Sequence, residues 1–424
     1  MKNKITLTLL LALLSVSLIA GNGGHKRKVL IIGVDGTRAD ALVQEIDSGH
    51  APNLGWLATN GFYTFDSWHL DITWSGPSWS SIMTGVYHEK HGVVNNTYSG
   101  SDFNTYPYFT TLVKSFDTTF KCVQLCEWAP LVNDVYNDDW DTQIIGTDGY
   151  SDGTAQATVA QLQDPNIDVL FTYFDHVDLT GHSSGFSPAN PAYCQAIDTV
   201  DAAIGTVMAA LRARPTYAQE DWLVLIVTDH GGIGNNHGGF TYDERHIWWI
   251  GYSDRIVKSR VSGPQNGSYT NPPDPGDHDE NGDTVNINMQ RESPVQVDVA
   301  TTAIHHLLYD QGINPEQQIQ WGLDGKTWLC QMGLCNDKPS GINTISGASK
   351  NVNLYPNPAN DKVYITATAP ADIDIYDQIG NVIQNAHYDS QAVQINTSSY
   401  APGIYIAKMQ FADGTNVTQK FVKE

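Results

Sequence analysis

The stretch DITWSGPSWSSIMTG, residues 71–85, places hydroxyls at Thr73, Ser75, Ser78, Ser80 and Ser81 around Pro77 and two tryptophans. An unassisted hydroxyl is a poor nucleophile near neutral pH and needs a base or a metal beside it. Metal-ligand residue types collect at three other places. These are Asp35-Gly36, the run Asp175-His176-Val177-Asp178-Leu179-Thr180-Gly181-His182, and Thr228-Asp229-His230-Gly231-Gly232. His237 follows in NNHGG, 7 residues after His230. Carboxylates and imidazoles beside glycines, which let backbone approach closely, suit a divalent metal centre. Singly, each has a structural explanation: an Asp after a strand commonly caps a helix, and His-Gly commonly turns the chain.

What unites them is the sequence just before each one. Val29–Val34 (VLIIGV), Val169–Phe174 (VLFTYF), Leu223–Val227 (LVLIV) and Ile247–Gly251 (IWWIG) are nearly continuous apolar runs. Such runs read as strands buried on both faces. Between them Ile197, Val200, Ile204, Val207 and Leu211 recur at helical spacing. The alternation predicts an α/β fold with a mostly parallel central sheet and helices on both faces. Ligands in such sheets sit outside the carboxyl ends of the strands, where three of these runs deliver acids and histidines.

The chain has 424 residues, enough for a large core and a second module. With 23 Lys+Arg against 46 Asp+Glu, the formal charge is −23, which disfavours binding duplex nucleic acid through a general basic field. An anionic substrate must then be drawn in locally by bound cations. Lys2, Lys4 and the apolar run Ile5–Ala20 read as a secretory signal over residues 1–20, short and wrongly flanked for a stable membrane span. Of five cysteines, Cys330 and Cys335 are close enough for a loop disulfide, and the other three leave one thiol unpaired. Cys122 and Cys126 lack a second Cys/His pair for a metal site. In a Gly/Pro/Asp-rich insertion, Asp277, Asp279, Asn281 and Asp283 imitate the first half of a Ca2+ loop, but Asn288 stands where the bidentate acid belongs. Residues 25–335 are read as the domain that carries these groups and 336–350 as a polar linker. From 351 to 424, VYITAT, IDIYDQIGNVI and GIYIAKMQF alternate in period two, which predicts a small antiparallel β-sandwich.

The set Asp35-Gly36, Ser75-Gly76-Pro77 with Thr84-Gly85, His91-Gly92, Asp178 with Gly181-His182, Asp229-His230-Gly231 and His237-Gly238 resembles the alkaline phosphatase superfamily. Within it, the type I phosphodiesterase/nucleotide pyrophosphatase family is matched over roughly Lys28 to Tyr309. The resemblance implies two Zn2+ sites, with Mn2+ or another divalent ion as the alternative. Asp35, Asp229, His230 and Ser75 would hold one ion; Asp178, His182 and His237 would hold the other. It selects Ser75, two residues before Pro77, as nucleophile, Asn96 as phosphoryl-binding donor, and His237 rather than His246 as last ligand. Two Zn2+ against three aspartates leave one positive charge, which a Ser75 alkoxide would balance. The implied reaction is in-line displacement at phosphorus through a phosphoseryl-type intermediate, on a small-molecule, lipid or nucleotide phosphate ester. A phosphomonoesterase or sulfatase-like hydrolase is the alternative, since Ser75 is the hydroxyl of the monoesterases where the diesterase branch carries threonine. Against the sulfatase, Ser75 is not a modifiable cysteine. An inactive surface-binding protein on this fold would show a broken ligand, and all seven positions are filled. His88-Glu89-Lys90-His91 has one residue too few for a zinc-protease helix; it, His176 and His305-His306 stay outside the ligand set.

Leu354-Tyr355-Pro356-Asn357-Pro358-Ala359, Ile375-Tyr376-Asp377 to Gly380, Gly403-Ile404-Tyr405 and the ending Lys420-Phe421-Val422-Lys423 resemble the type IX secretion sorting domain of the Bacteroidetes. A carbohydrate-binding or adhesive β-module is the alternative. The resemblance implies export across the periplasm of a Gram-negative cell to its surface or beyond, with the type IX machinery as partner.

Overall fold

The computed structural model describes residues 26–135, 139–146, 151–262, 293–313, 318, 321–335, 352–356, 358–367, 369–377, 382–389, 392–412 and 416–423. The expected signal segment, linker and Ca2+ loop lie outside these residues. The chain divides into two compact units, residues 1–339 and 340–424.

The first unit is built on eight strands: β1 (Lys26–Val34), β2 (Phe62–Trp68), β3 (Lys121–Cys126), β4 (Thr142–Ile145), β5 (Ile167–Phe174), β6 (Glu220–Val227), β7 (His246–Tyr252) and β8 (Ser259–Arg260). Their order across the sheet is β4-β3-β5-β1-β6-β7-β2-β8. The block from β4 to β6 is parallel, with Val29 opposite both Val169 and Leu223. β7 runs antiparallel to both β6 and β2. The unbroken apolar runs are explained by burial on two sides. Val29 and Ile31 enter one core with the helix Asp298–Leu307, while Leu30, Ile32 and Val34 enter another with the helix Pro191–Arg212.

Gly33 is needed for a close approach: a Cβ there would stand 2.3 Å from the Trp79 indole, which packs across the strand. Cys330 and Cys335 are disulfide-bonded. Cys122, Cys126 and Cys194 are all free and buried, so three thiols rather than one are left over. Cys122 and Cys126 lie four residues apart on β3, roughly 13 Å along an extended strand, too far to bridge.

The second unit holds two antiparallel sheets. One joins β9 (Val352–Tyr355), β10 (Lys362–Ala367) and β13 (Val393–Asn396). The other joins β11 (Ala371–Tyr376), β12 (Val382–Tyr388), β14 (Gly403–Phe411) and β15 (Asn416–Lys423). Val363 and Ile365 from the first and Ile373, Ile375 and Phe421 from the second share a single apolar core.

Candidate active site

Three neighbouring parallel strands deliver the site. β1 ends into Asp35, β5 into Asp175 and the helix His176–Ser184, and β6 into Asp229 and His230. On that helix Asp178 and His182 are four residues apart and therefore share a face, with Asp178 Oδ2 3.3 Å from His182 Nε2. His237 returns on a loop fastened to the same helix. Asn235 Nδ2 donates to the His182 carbonyl (3.0 Å), and His182 Nδ1 donates to the Asn235 carbonyl (2.9 Å). Gly36, at φ +64°, lets the chain pass Asp178: a Cβ there would lie 2.5 Å from Oδ1.

The structure separates the hydroxyls of the 71–85 stretch. Thr73 Oγ1 donates to the Gly239 carbonyl (2.7 Å), Ser78 Oγ to that of Ile72 (3.1 Å) and Ser80 Oγ to that of Gly76 (2.7 Å). Ser81 Oγ donates to Asp71 Oδ2 (3.0 Å). Ser75 begins the helix Ser75–Thr84, and its Oγ lies 3.3 Å from His230 Nε2. Pro77 sits in the first turn, where its missing N–H leaves no bond unmade. Asn96 Oδ1 accepts from the Gly76 N–H (2.8 Å), so Asn96 stands beside Ser75 with its amide group still able to donate.

The ligating atoms converge. Oxygens and ring nitrogens of Asp35, Asp229 and His230 lie within 4.8 Å of one another, as do those of Asp178, His230 and His237, and those of Asp35, Asp175 and Asp178. His182 stands at the edge, its Nε2 3.1 Å from His237 Nε2.

Two observations test whether a metal fits. Asp35 Oδ1, Asp178 Oδ1 and Asp229 Oδ2 are buried without a hydrogen-bond donor, a costly condition for carboxylate oxygens unless a cation meets them. Each imidazole also turns the same way. Nδ1 of His230, His237 and His182 donates to the carbonyls of Gly231 (2.8 Å), Thr73 (2.8 Å) and Asn235 (2.9 Å). A carbonyl can only accept, so Nδ1 carries a proton in each ring and Nε2 is the nitrogen turned toward the carboxylates, the one a metal would take once it is deprotonated. The residues fit a divalent metal centre.

Electrostatics without cations point the same way. Burial raises the pKa of Asp35, and burial together with the Asp35 charge raises that of Asp229. Asp175 is pushed up to about 8 by burial and the neighbouring Asp35, Asp178 and Glu127. Burial lowers His230 to about 4 and His237 to about 3. His182 is raised to about 9 by its hydrogen bond to Asp178. Without cations, protonation of Asp35, Asp175, Asp229 and His182 is thus favoured.

Sequence reading left three participants unassigned. Asp175 directly follows its strand, where sequence alone gives it no role. Asp35 Oδ2 accepts from Trp79 Nε1 (2.9 Å) and from the Tyr173 hydroxyl, which fixes Oδ1 toward His230 Nε2 at 3.5 Å. Nothing in an apolar strand pattern marks Tyr173, or a tryptophan amid serines, as such a donor. Outer hydrogen bonds of this kind typically govern metal affinity by about 10–100-fold. Tyr173→Phe is therefore expected to weaken divalent-ion binding by about tenfold in competition with a chromogenic chelator, and unchanged affinity would contradict the orienting role.

The histidines of HEKH serve the support beneath Ser75. His88 Nδ1 pairs with Asp71, and His91 Nε2 lies 3.0 Å from Ser81 Oγ. His69 Nε2 donates to Ser78 Oγ (2.7 Å). Asp71, His69 and His91 are buried, and this network ties the loop before Ser75 to the helix that follows.

Comparisons with known proteins give the chain a family. The family described as type I phosphodiesterase / nucleotide pyrophosphatase matches residues 29–246, about half the chain, and the secretion system C-terminal sorting domain matches residues 353–424. An uncharacterized pyrophosphatase/phosphodiesterase of Schizosaccharomyces pombe is 28% identical over 255 residues, covering 54% of this chain and 48% of that protein. Human ectonucleotide pyrophosphatase/phosphodiesterase family member 7 is 24% identical over 248 residues, covering 52% and 50%. The chain spans about half the length of these curated relatives. A solved 2-O glycosaminoglycan sulfatase superposes with a TM-score of 0.51 at 12% identity, covering 88% of this chain and 85% of that one, a likeness of fold. By its sequence match from β1 to the start of β7, the chain belongs to the type I phosphodiesterase/nucleotide pyrophosphatase family, on an alkaline phosphatase-like fold, with a sorting domain behind it.

Proposed function

We propose that the first unit is a metal-dependent phosphodiesterase that works through Ser75, and that the sorting domain sends it to the cell surface or the medium. The observation that carries the reading is the hydroxyl census. Ser75 alone of those five hydroxyls faces the cluster of Asp35, Asp178, Asp229, His182, His230 and His237, while the other four are held by structural hydrogen bonds.

Asp35, Asp229 and His230, with Ser75, would hold one ion, and Asp178, His182 and His237 the other; Zn2+ or Mn2+ suits their oxygen and nitrogen donors. When bound, the ions supply Lewis-acid stabilisation of negative charge on the phosphoryl oxygens and on the serine oxygen. Ser75 Oγ forms a bond to phosphorus as the bond to the alcohol oxygen breaks, and the serine proton leaves on that alcohol. Water then attacks the phosphoserine and restores the hydroxyl. Asn96 Nδ2 donates to a non-bridging oxygen throughout, held in place by the bond from Gly76 N to its Oδ1. The helix N-terminus at Ser75 adds a favourable field for the same negative charge.

The test compares nitrophenyl esters on metal-replete enzyme. The diester bis(4-nitrophenyl) phosphate is expected to exceed 4-nitrophenyl phosphate by at least about tenfold in kcat/KM, or about 1.4 kcal/mol of transition-state discrimination. A preference for the monoester, or for 4-nitrophenyl sulfate, would replace this reading with one of its relatives.

A further inference from the structure

The segments that build the site also surround it with apolar surface. Each exposes a large hydrophobic residue within three positions of a site group. Trp74 precedes Ser75, Val94 comes two before Asn96, and Leu179 follows Asp178; Ile233 and Phe240 come three after His230 and His237. Their exposures are 42%, 49%, 48%, 47% and 40% in that order. Trp74 lies against the loop that carries His237, for a Cβ on Gly238 would stand 1.8 Å from its Nε1. Leu179 is three residues from His182 and so neighbours it on the helix surface. The loop bearing Ile233 and Phe240 is fastened to that helix through Asn235. Trp74, Leu179, Ile233 and Phe240 are thus carried on segments joined to one another beside the site, and exposed apolar residues gathered in this way suit a binding surface.

Charge narrows the ligand. Residues 71–79, 92–100, 176–189 and 230–242 contain no lysine or arginine. Arg38 reaches the same region from beneath, donating to the carbonyls of Phe186 (3.2 Å) and Gly232 (3.1 Å), but it is 8% exposed and paired with Asp40 and Asp243. Beyond the metal centre, these segments offer no side-chain cation to receive further phosphates. Resting on the phosphodiesterase reading above, we infer that the substrate is a singly charged phosphodiester with an uncharged, apolar alcohol group. That group lies on the rim formed by Trp74, Leu179 and Phe240, and the rim disfavours nucleoside polyphosphates.

The test uses full-length, metal-loaded enzyme and a series of 4-nitrophenyl alkyl phosphates from methyl to octyl, with thymidine 5′-monophosphate 4-nitrophenyl ester and ATP as polar arms. Each methylene withdrawn from water is worth up to about fourfold in affinity, so partial burial of the chain gives an octyl-to-methyl ratio in kcat/KM of at least about tenfold. Leu179→Ser and Phe240→Ser, both at exposed positions, are expected to bring that ratio below about threefold. A flat series in the wild type, or a thymidine ester or ATP turned over faster than the octyl ester, would overturn the inference while leaving phosphodiesterase activity intact. No turnover of any diester would overturn both.

Discussion

Ser75→Ala is expected to lower turnover of a chromogenic phosphodiester by at least about a thousandfold, the scale at which enzymes lose a nucleophile that acts as part of a unit. The substitution removes one oxygen from a residue that is 6% exposed, at the first turn of a buried helix, and leaves the three aspartates and three histidines in place. Divalent ions should stay bound and the fold should persist, so the loss falls on kcat. Thr73→Ala is the matched control. Its hydroxyl donates to the Gly239 carbonyl and accepts from the Gly238 N–H (3.1 Å), so its removal loosens the loop beside His237 without deleting the reacting oxygen. If Thr73→Ala abolished activity and Ser75→Ala retained it, the roles would have to be exchanged.

Removal of the ions should produce a chain whose stability falls as pH rises from 6.5 to about 8, the folded value for Asp175. The sign follows from the direction of the shifts. Asp175 is raised from 3.8 to about 8, so across this window the folded state holds a proton that the unfolded state has lost. Each such proton costs about 1.4 kcal/mol of stability per pH unit gained. Asp35 and Asp229 are raised as well and act in the same sense above the ordinary carboxylate range. His182, raised to about 9, contributes stability that fades from 6.5 upward. His230 and His237, lowered to about 4 and 3, contribute stability already complete above 6.5, so they do not offset the fall. Bound ions keep the acids ionised and flatten the slope, and at a thousandfold excess over Kd each site adds about 4 kcal/mol. Urea titrations at pH 6.5 and 8, with and without chelator, read this directly. Equal pH dependence in the two forms would mean that the acids do not share a cation.

The parallel block was legible because burial on two faces leaves an unmistakable trace: VLIIGV, VLFTYF and LVLIV can only be interior strands, and each runs straight into its acid. IWWIG carried no such information about direction, and the strand it belongs to runs opposite to β6. Asp178 and His182 share a face because residues 176–184 form a helix, which their spacing alone does not establish. The hydroxyls of residues 71–85 could not be told apart by chemistry. Only the distant carbonyls of Gly239, Ile72 and Gly76 and the carboxylate of Asp71 distinguish Ser75. Tyr173 and Trp79 are core residues by pattern and hydrogen-bond donors only by position, so sequence does not mark them. Asp175 was hidden by its neighbours, since one of several acids and histidines in a short run gains a role only when the chain is folded around Asp35.

On the proposed function, Asp35, Asp178, Asp229, His182, His230 and His237 enclose a pair of divalent cations beside Ser75. Elemental analysis of enzyme stripped with chelator, reloaded and desalted measures this most directly, run in parallel on the double variant Asp35→Ala/Asp178→Ala. The expected result is about two ions per wild-type chain and fewer than about one in the variant, because each site loses a buried oxygen ligand. A wild-type chain that stays folded and cannot be reloaded, or a variant that binds as many ions as the wild type, would contradict it.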